Sequence, residues 1–291
     1  MTTRTLISPV RLRRHGGRRT YWILVVLTVA LFTLVFTGPL YWMVTGGLKS
    51  GQEVAQIPPT LYPRHPQAGN YADAWTALSI GRLLWNTSYY AFGALAFQLV
   101  LDVAAAFAFS RLRPVFGKAI LGMMLATLMI PSTVLVIPQY VTVIDLPVVH
   151  WHMLDSPWVI WLPAVTNAFN IFLLKRFFDS IPEDLLAAAA IDGAGPLRTL
   201  LSIILPMSRP ILGVVSIFSV TAVWKDFLWP LLVEPSPQNR TVNVGIYAFS
   251  TGLTQNVVIA GAVIAAIPTV LFFLIFQKNI MAGLTTGGLK G

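Results

Sequence analysis

The sequence predicts an all-α protein that crosses a membrane several times. Three observations predict it. Apolar residues make up 56% of the 291-residue chain and charged residues only 11%, where soluble domains carry about 25% charge. The mean hydropathy is +0.71. Apolar stretches long enough to cross a hydrocarbon layer of about 30 Å as helices recur along the chain, separated by basic or Pro-rich segments. The expected architecture is a polytopic fold of six transmembrane helices, at 21–48, 83–110, 119–144, 157–174, 210–233 and 257–276.

The chain opens on a basic tail, 1–20, with Arg4, Arg11, Arg13, Arg14, Arg18 and Arg19 and no acid. The uncharged run from Tyr21 to Leu48 is too long for a signal-peptide core and reads as the first span. Lys49 to Arg82 is polar and Pro-rich, an external loop with a short helix expected near Tyr71–Ala77. The second span carries Asn86 near one end and Asp102 inside it. A short basic loop follows with Arg111, Arg113 and Lys118. Pro131 and Pro138 interrupt the third span, which is tolerated where neighbouring helices satisfy the freed carbonyls. The loop 145–156 holds no Lys or Arg. Lys175 and Arg176 close the fourth span, Arg209 precedes the fifth, and Lys278 and Lys290 follow the sixth.

The basic residues set the orientation. Fifteen of the twenty Lys and Arg fall in the two tails and the two loops on their side. By the positive-inside rule, both termini and the stretch 175–209 are expected in the cytoplasm. Spread as topology signals, the charges do not form a nucleic-acid groove. With no cysteine in the chain, disulfides and thiolate metal sites are excluded.

One cytoplasmic stretch is unlike the rest, Ile181 to Pro206, IPEDLLAAAAIDGAGPLRTLLSIILP. Pro182 suits a first helical position, and Glu183 and Asp184 place negative charge at the positive end of the helix dipole. Leu185 to Ile191 are strong helix formers. Ala187, Ala188 and Ala189 keep the side chains short, so another backbone can approach closely. Asp192 and Gly193 lead into a break at Gly193 and Gly195, and Pro196 opens a second helix running to Pro206. The local alternative is an interfacial amphipathic helix without a partner.

Ionisable residues inside a membrane default to a functional hypothesis, which singles out Asp102, Lys225 and Asp226. Lys225 and Asp226 are adjacent and point about 100° apart on a helix, so they are poor partners for each other. Asp226, Asn167, Asn170 and Trp224 are the candidates for a substrate path. The alternatives are pairing with a second subunit for Asp226 and interhelical bonding for the two asparagines. Trp151, Trp158, Trp161, Trp224 and Trp229 fit an interfacial belt or packing better than a substrate path. His150 and His152 fit a headgroup boundary better than a metal site, and no metal site is expected. No nucleophile–base or paired-carboxylate constellation supports an enzyme. A GxxxxGK[ST] phosphate loop is absent from the sequence, so any ATP is handled elsewhere.

The stretch 181–206 resembles the cytoplasmic "EAA" loop of ABC-importer permeases. In that family a Glu-Ala-Ala is followed three residues later by Gly and then by an I-x-L-P. Here Ala188, Ala189, Asp192, Gly193 and Ile203-Ile204-Leu205-Pro206 fall in register. Ala187 stands at the family's Glu position, and Glu183 lies one helical turn earlier on the same face. YWMVTGGLKSGQEV, MIPSTVLVIPQY, VWKDFLWPLLV and the terminal GLTTGGLKG extend the resemblance from about residue 20 to the end. The chain is similar to carbohydrate ABC-importer permease subunits, most of all the six-span permease subunit of maltose transporters.

The resemblance implies a type I ABC-importer permease fold in a bacterial plasma membrane. It implies a second permease subunit, a dimer of ATP-binding subunits that bind the ATP and Mg, an extracytoplasmic sugar-binding protein and a carbohydrate substrate. It makes 177–208 a coupling loop to the ATP-binding subunits. No cofactor of the chain's own is expected. The rival reading is a secondary transporter driven by an ion gradient through Asp102 or Asp226, against which no repeated pair of broken helices is apparent.

Overall fold

The computed structural model describes residues 15–288, with side chains from 18 to 277. Most of the basic tail and the C-terminal Lys290 therefore lie outside the described residues. Two compact units are present, one of residues up to 74 with 253–263, the other of 75–252 with the residues from 264 onward.

The first unit contains α1, His15–Gly47. Its most apolar stretch is exposed among the described residues. Leu34 and Phe36 are 71% and 68% exposed, as expected of a helix whose solvent is lipid. At its end the chain folds back on buried polar contacts. Lys49 Nζ bonds the Thr60 carbonyl and lies 4.5 Å from the Trp42 ring centre. Glu53 accepts from Thr60 Oγ1 at 2.8 Å and from the Arg64 amide at 3.1 Å. Asn70 Nδ2 donates to the carbonyls of Gly47 and Lys49, each at 2.9 Å. Gly47 is required here, because a Cβ would stand 2.8 Å from the Tyr71 hydroxyl and 3.1 Å from the Ala260 backbone. The short helix expected after the prolines is α2, Gly69–Ala77.

The second unit is organised on α3, Ile80–Phe107, which widens at its end into a π-helical segment, Ala108–Leu112. Then come α4, Gly117–Thr127, and α5, Ser132–Ile144, which meet at 102°. Two short helices follow, α6, Trp158–Trp161, and α7, Ala168–Asp179. The helix α8, Glu183–Ile191, leads through Pro196–Met207 and an 81° bend into α9, Arg209–Lys225. After α10, Leu228–Val233, and α11, Val242–Phe249, the last helix is α12, Gln255–Gly288.

The main core joins α3, α7 and α9 through Val103, Phe107, Ile171, Leu174, Phe178 and Val215. A second cluster gathers Tyr90, Val143, Met153, Val159, Trp229 and Val233. Tight approach is built in at Gly93 of α3, where a Cβ would stand 2.3–2.5 Å from the Trp161 ring.

Among the described residues, three helices are long and apolar enough to cross a membrane alone, and two bent pairs qualify if each is one span. The expected fourth span differs from a continuous helix. α7 has 12 residues, about 18 Å at ~1.5 Å per residue, short of the membrane thickness. Pro163, and Asn167 acting as an N-cap, account for the separation of α6 from α7.

Candidate functional site

Two regions of the second unit concentrate chemistry. The first is α8 and its supports. Pro182 sits just before the helix with extended backbone, and Glu183 is the first helical residue. The helix ends in a Schellman motif, with Ala194 N bonded to Ala189 O at 2.9 Å and Gly193 N to Ala190 O at 3.1 Å. Gly193 takes φ +73°, while Gly195 at φ −69° is ordinary backbone preceding Pro196.

Only one side of α8 is held by the protein. Ala189 is buried and Leu186 packs on the main core. Glu183, Asp184, Ala187, Ala188, Asp192 and Gly193 are exposed. The apolar tip is exposed too, Ile191 at 86% and Leu197 at 67%.

The entry to α8 is fastened to the end of α3. Arg111 donates to the carbonyls of Phe178 and Ile181. Asp179 accepts from Ser110 Oγ at 2.7 Å and pairs with Lys175 at 2.6 Å. Burial pushes the Asp179 pKa up, but those hydrogen bonds and the Lys175 and Arg111 charges outweigh it and hold the carboxyl below its usual range. Arg113 reaches Glu183 at 3.4 Å, with both side chains over 70% exposed. A groove of about 750 Å³ beside α8 is lined by Arg113, Lys118, Lys175, Asp179 and Glu183.

The second region is a cavity of about 400 Å³. Ser132, Thr133 and Gln139 line it from α5, Pro163 and Ala164 from the stretch between α6 and α7, and Asp226, Leu228 and Thr241 from the end of α9 onward. Asp226 and Phe227 interrupt the helix, and Asp226 Oδ1 lies 3.5 Å from the Trp229 amide. Thr241 is 1% exposed and its hydroxyl has no hydrogen-bond partner.

The four path candidates named from the sequence are not gathered in one place. Asp226 lines this cavity. Asn167 caps α7 by accepting from the amides of Phe169 and Asn170 at 3.0 and 3.2 Å. Asn170 is buried and donates to Ser219 Oγ of α9 at 3.3 Å. Asp102, fully buried, accepts from the Asn167 amide at 3.0 Å. These three brace α3, α7 and α9. Trp224 faces a separate apolar cavity with Ser88, Phe92, Thr221 and Pro268. Pro206 sits at the bend before α9.

Trp158 and Trp161 pack against Phe97 with tilted rings, and Trp151 meets Trp158 edge-on. The indole N–H of Trp229 donates to Val159 O at 2.9 Å. His150 meets Asp145 at 3.1 Å, and no group of three metal-ligating side chains occurs among the described residues. Sequence reasoning missed Ser132, Thr133, Gln139 and Thr241. The available signal was Pro131, which stands at the break before α5; Pro138, also expected to interrupt this span, lies inside the continuous helix α5.

The family described as "Binding-protein-dependent transport system inner membrane component" matches residues 99–284. The sulfoquinovosyl glycerol transport system permease protein SmoH of Agrobacterium fabrum is 31% identical, over 87% of this chain and 88% of its own. The sn-glycerol-3-phosphate transport system permease protein UgpE of Brucella suis is 28% identical, over 89% and 94%. The diacetylchitobiose uptake system permease protein NgcG of Streptomyces coelicolor is 27% identical, over 88% and 85%. In structure the fold matches a chain of a bacterial ABC transporter involved in alginate import, with a TM-score of 0.79, 21% identity, and coverage of 91% of this chain and 98% of that one.

Proposed function

The chain belongs to the family of binding-protein-dependent transport system inner membrane components, and from that membership we propose that it forms half of the translocation pore of an ATP-driven sugar importer and couples to ATP-binding subunits through residues 181–206. It is a permease component of such an importer, not an enzyme.

The observation that carries the coupling reading is the one-sided support of α8. Its inner side is fixed by Leu186, Ala189 and the Asp179 network. Its outer side leaves small alanines and an apolar tip uncovered. An exposed apolar tip flanked by charge fits a protein partner. A stiff helix closed by a Schellman motif at its C-terminal end transmits displacement to α3 and α9, which a flexible loop would absorb. In this reading Glu183, Asp184, Ala187, Ala188 and Asp192 meet a cleft of an ATP-binding subunit. Gly193 lets the chain turn back toward the membrane at Pro206.

The other components follow from the same class. A second permease completes the pore, and a binding protein delivers the substrate from outside. A solved relative of low identity was crystallised with an alginate pentasaccharide-bound periplasmic protein. Both termini and α8 lie in the cytoplasm of a bacterial cell by the charge asymmetry. The named cargoes of the relatives are saccharides, glycosides or polyol esters, so a carbohydrate is the proposed class here.

Mild detergent extraction from native membranes, with mass spectrometry of co-eluting chains, tests this reading. An ATP-binding protein and a second multispanning protein are expected. A chain that elutes alone and transports after reconstitution without ATP would refute it.

A further inference from the structure

We propose that the cavity at Asp226 is a binding subsite for an uncharged polyhydroxylated ligand, a neutral saccharide or polyol, on the translocation path. The inference rests on the importer reading and adds a location and a charge selectivity to it.

Three breaks in helical structure converge on this cavity. Ser132 and Thr133 are the first residues after the 102° bend between α4 and α5. Pro163 and Ala164 come from the non-helical stretch between α6 and α7. Asp226 lies in the gap between α9 and α10, and Leu228 follows it. All three contribute to one lining. At membrane depth, irregular backbone is tolerated only when buried in protein or facing an aqueous cavity. In secondary transporters, discontinuous helices with freed N–H and C=O groups form the substrate sites, and the same exposed backbone chemistry is available here. One break could be a packing accident, but three breaks on separate segments meeting at one cavity point to a ligand.

The lining chemistry names the ligand. Hydroxyls at Ser132, Thr133 and Thr241, the amide of Gln139 and the carboxyl of Asp226 supply donors and acceptors together. Hydroxyl-rich ligands require that mixture. The Thr241 hydroxyl, buried and without a partner, is costly to leave so and is satisfied by a ligand hydroxyl. Val136, Ile160 and Trp229 offer apolar walls for C–H faces. A volume of about 400 Å³ lies within the usual range of small-ligand sites, roughly 300–1,000 Å³.

Charge decides the class. Asp226 is the single charged side chain among the described residues lining the cavity. A phosphate, sulfonate or uronate would enter without a cation to receive it and against a carboxyl. The subsite therefore accepts neutral cargo and disfavours anionic cargo.

The test uses cells carrying the full importer. Loss of each saccharide and polyol from a mixed medium is followed in a strain lacking the gene and in the same strain complemented. The compound whose depletion requires this chain is then labelled, and its uptake is measured with Thr133→Val, Gln139→Ala and Asp226→Asn. The expected cargo is uncharged. Gln139→Ala and Thr133→Val are expected to raise KM about tenfold, with the ratio of co-purified subunits unchanged.

An anionic cargo overturns the proposal. So does a neutral cargo whose KM is indifferent to all three variants. Because Thr133→Val is near-isosteric at an exposed position, a failure of Asp226→Asn to assemble does not remove the measurement. A deletion that alters the depletion of no saccharide or polyol overturns the importer reading itself, as does uptake without ATP.

Discussion

The two working regions are built on opposite plans. The proposed coupling helix α8 is a continuous run of nine residues with regular backbone, a Schellman motif at its C-terminal end and most side chains exposed. The cavity at Asp226 is assembled from three interruptions, drawn from positions 132 to 241. Each plan suits its load. Force has to be passed on by something stiff, and regular hydrogen bonding supplies the stiffness. A small polar ligand has to be met by free polar groups, which regular helix does not offer at membrane depth.

The strongest way to break the comparison is to remove the regularity of α8 at its end. Gly193 holds φ +73°, a conformation that a β-branched residue adopts only under strain. Space is not the obstacle, since no atom lies within 4 Å of a Cβ built there. Gly193→Val is expected to lower ATP-dependent uptake more than tenfold while the chain still inserts. Uptake assays alongside immunoblots of membranes check both parts. Uptake at the wild-type rate would mean that the geometry of the turn is not used in coupling.

The same contrast explains what was legible in the sequence. Contiguous features read directly. The Ala-rich helix, its acidic first turn and its glycine break appear in the residues of one stretch, and the structure places them at Glu183–Ile191 and Gly193. Long apolar helices near 21–48, 83–110 and 257–276 also read directly, because hydropathy is summed over neighbours. Dispersed features do not. Hydropathy sees no dihedral angle, so 157–174 reads as one span although Pro163 and the capping side chain of Asn167 divide it. Pro131 signalled one interruption. Nothing local showed that its neighbours Ser132 and Thr133 share a cavity with Asp226 and Thr241.

A smaller effect is expected from the wall beside the cavity. Gly93 brings α3 against Trp161, whose ring is held by Tyr89, Phe97 and Trp158 and whose N–H donates to Tyr90 O at 3.2 Å. A methyl group at position 93 would overlap that ring. Overpacking of this kind costs about 1–3 kcal/mol. Gly93→Ala should lower the Tm of the purified protein by a few degrees. An unchanged Tm would show that the aromatic stack yields freely and does not stiffen the irregular region.

A pH dependence sharpens the contrast further. Glu234 follows α10, is fully buried, and neither carboxyl oxygen has a hydrogen-bond partner. Burial above all, and then the neighbouring Asp155 carboxyl, push its pKa from 4.5 up to about 8, against a smaller opposing effect of Tyr90. The folded protein thus keeps this proton where the unfolded chain has lost it. The stability tied to Glu234 is complete below pH 4.5, declines as pH rises, and is gone above about 8. Glu234→Gln should flatten that decline in a Tm series from pH 5.5 to 8.5. Equal slopes in the two proteins would refute the assignment.

The smallest effect is expected where α8 makes its most visible contact. Arg113 and Glu183 are 3.4 Å apart but 72% and 79% exposed, and exposed pairs contribute roughly 0–1 kcal/mol because water and salt screen them. The support of α8 comes instead from Leu186, Ala189, the Arg111 hydrogen bonds and the partly buried Asp179 network. Arg113→Ala should leave the Tm of the isolated chain within about 1 °C of wild type. Its effect belongs to the assembled importer, where Glu183 would lose an intrachain partner beside the partner surface and the binding of the ATP-binding subunit would change with it. A drop in Tm of several degrees in the isolated chain would show that α8 is fastened through its exposed side. The division between a fixed inner side and a free outer side would then fail.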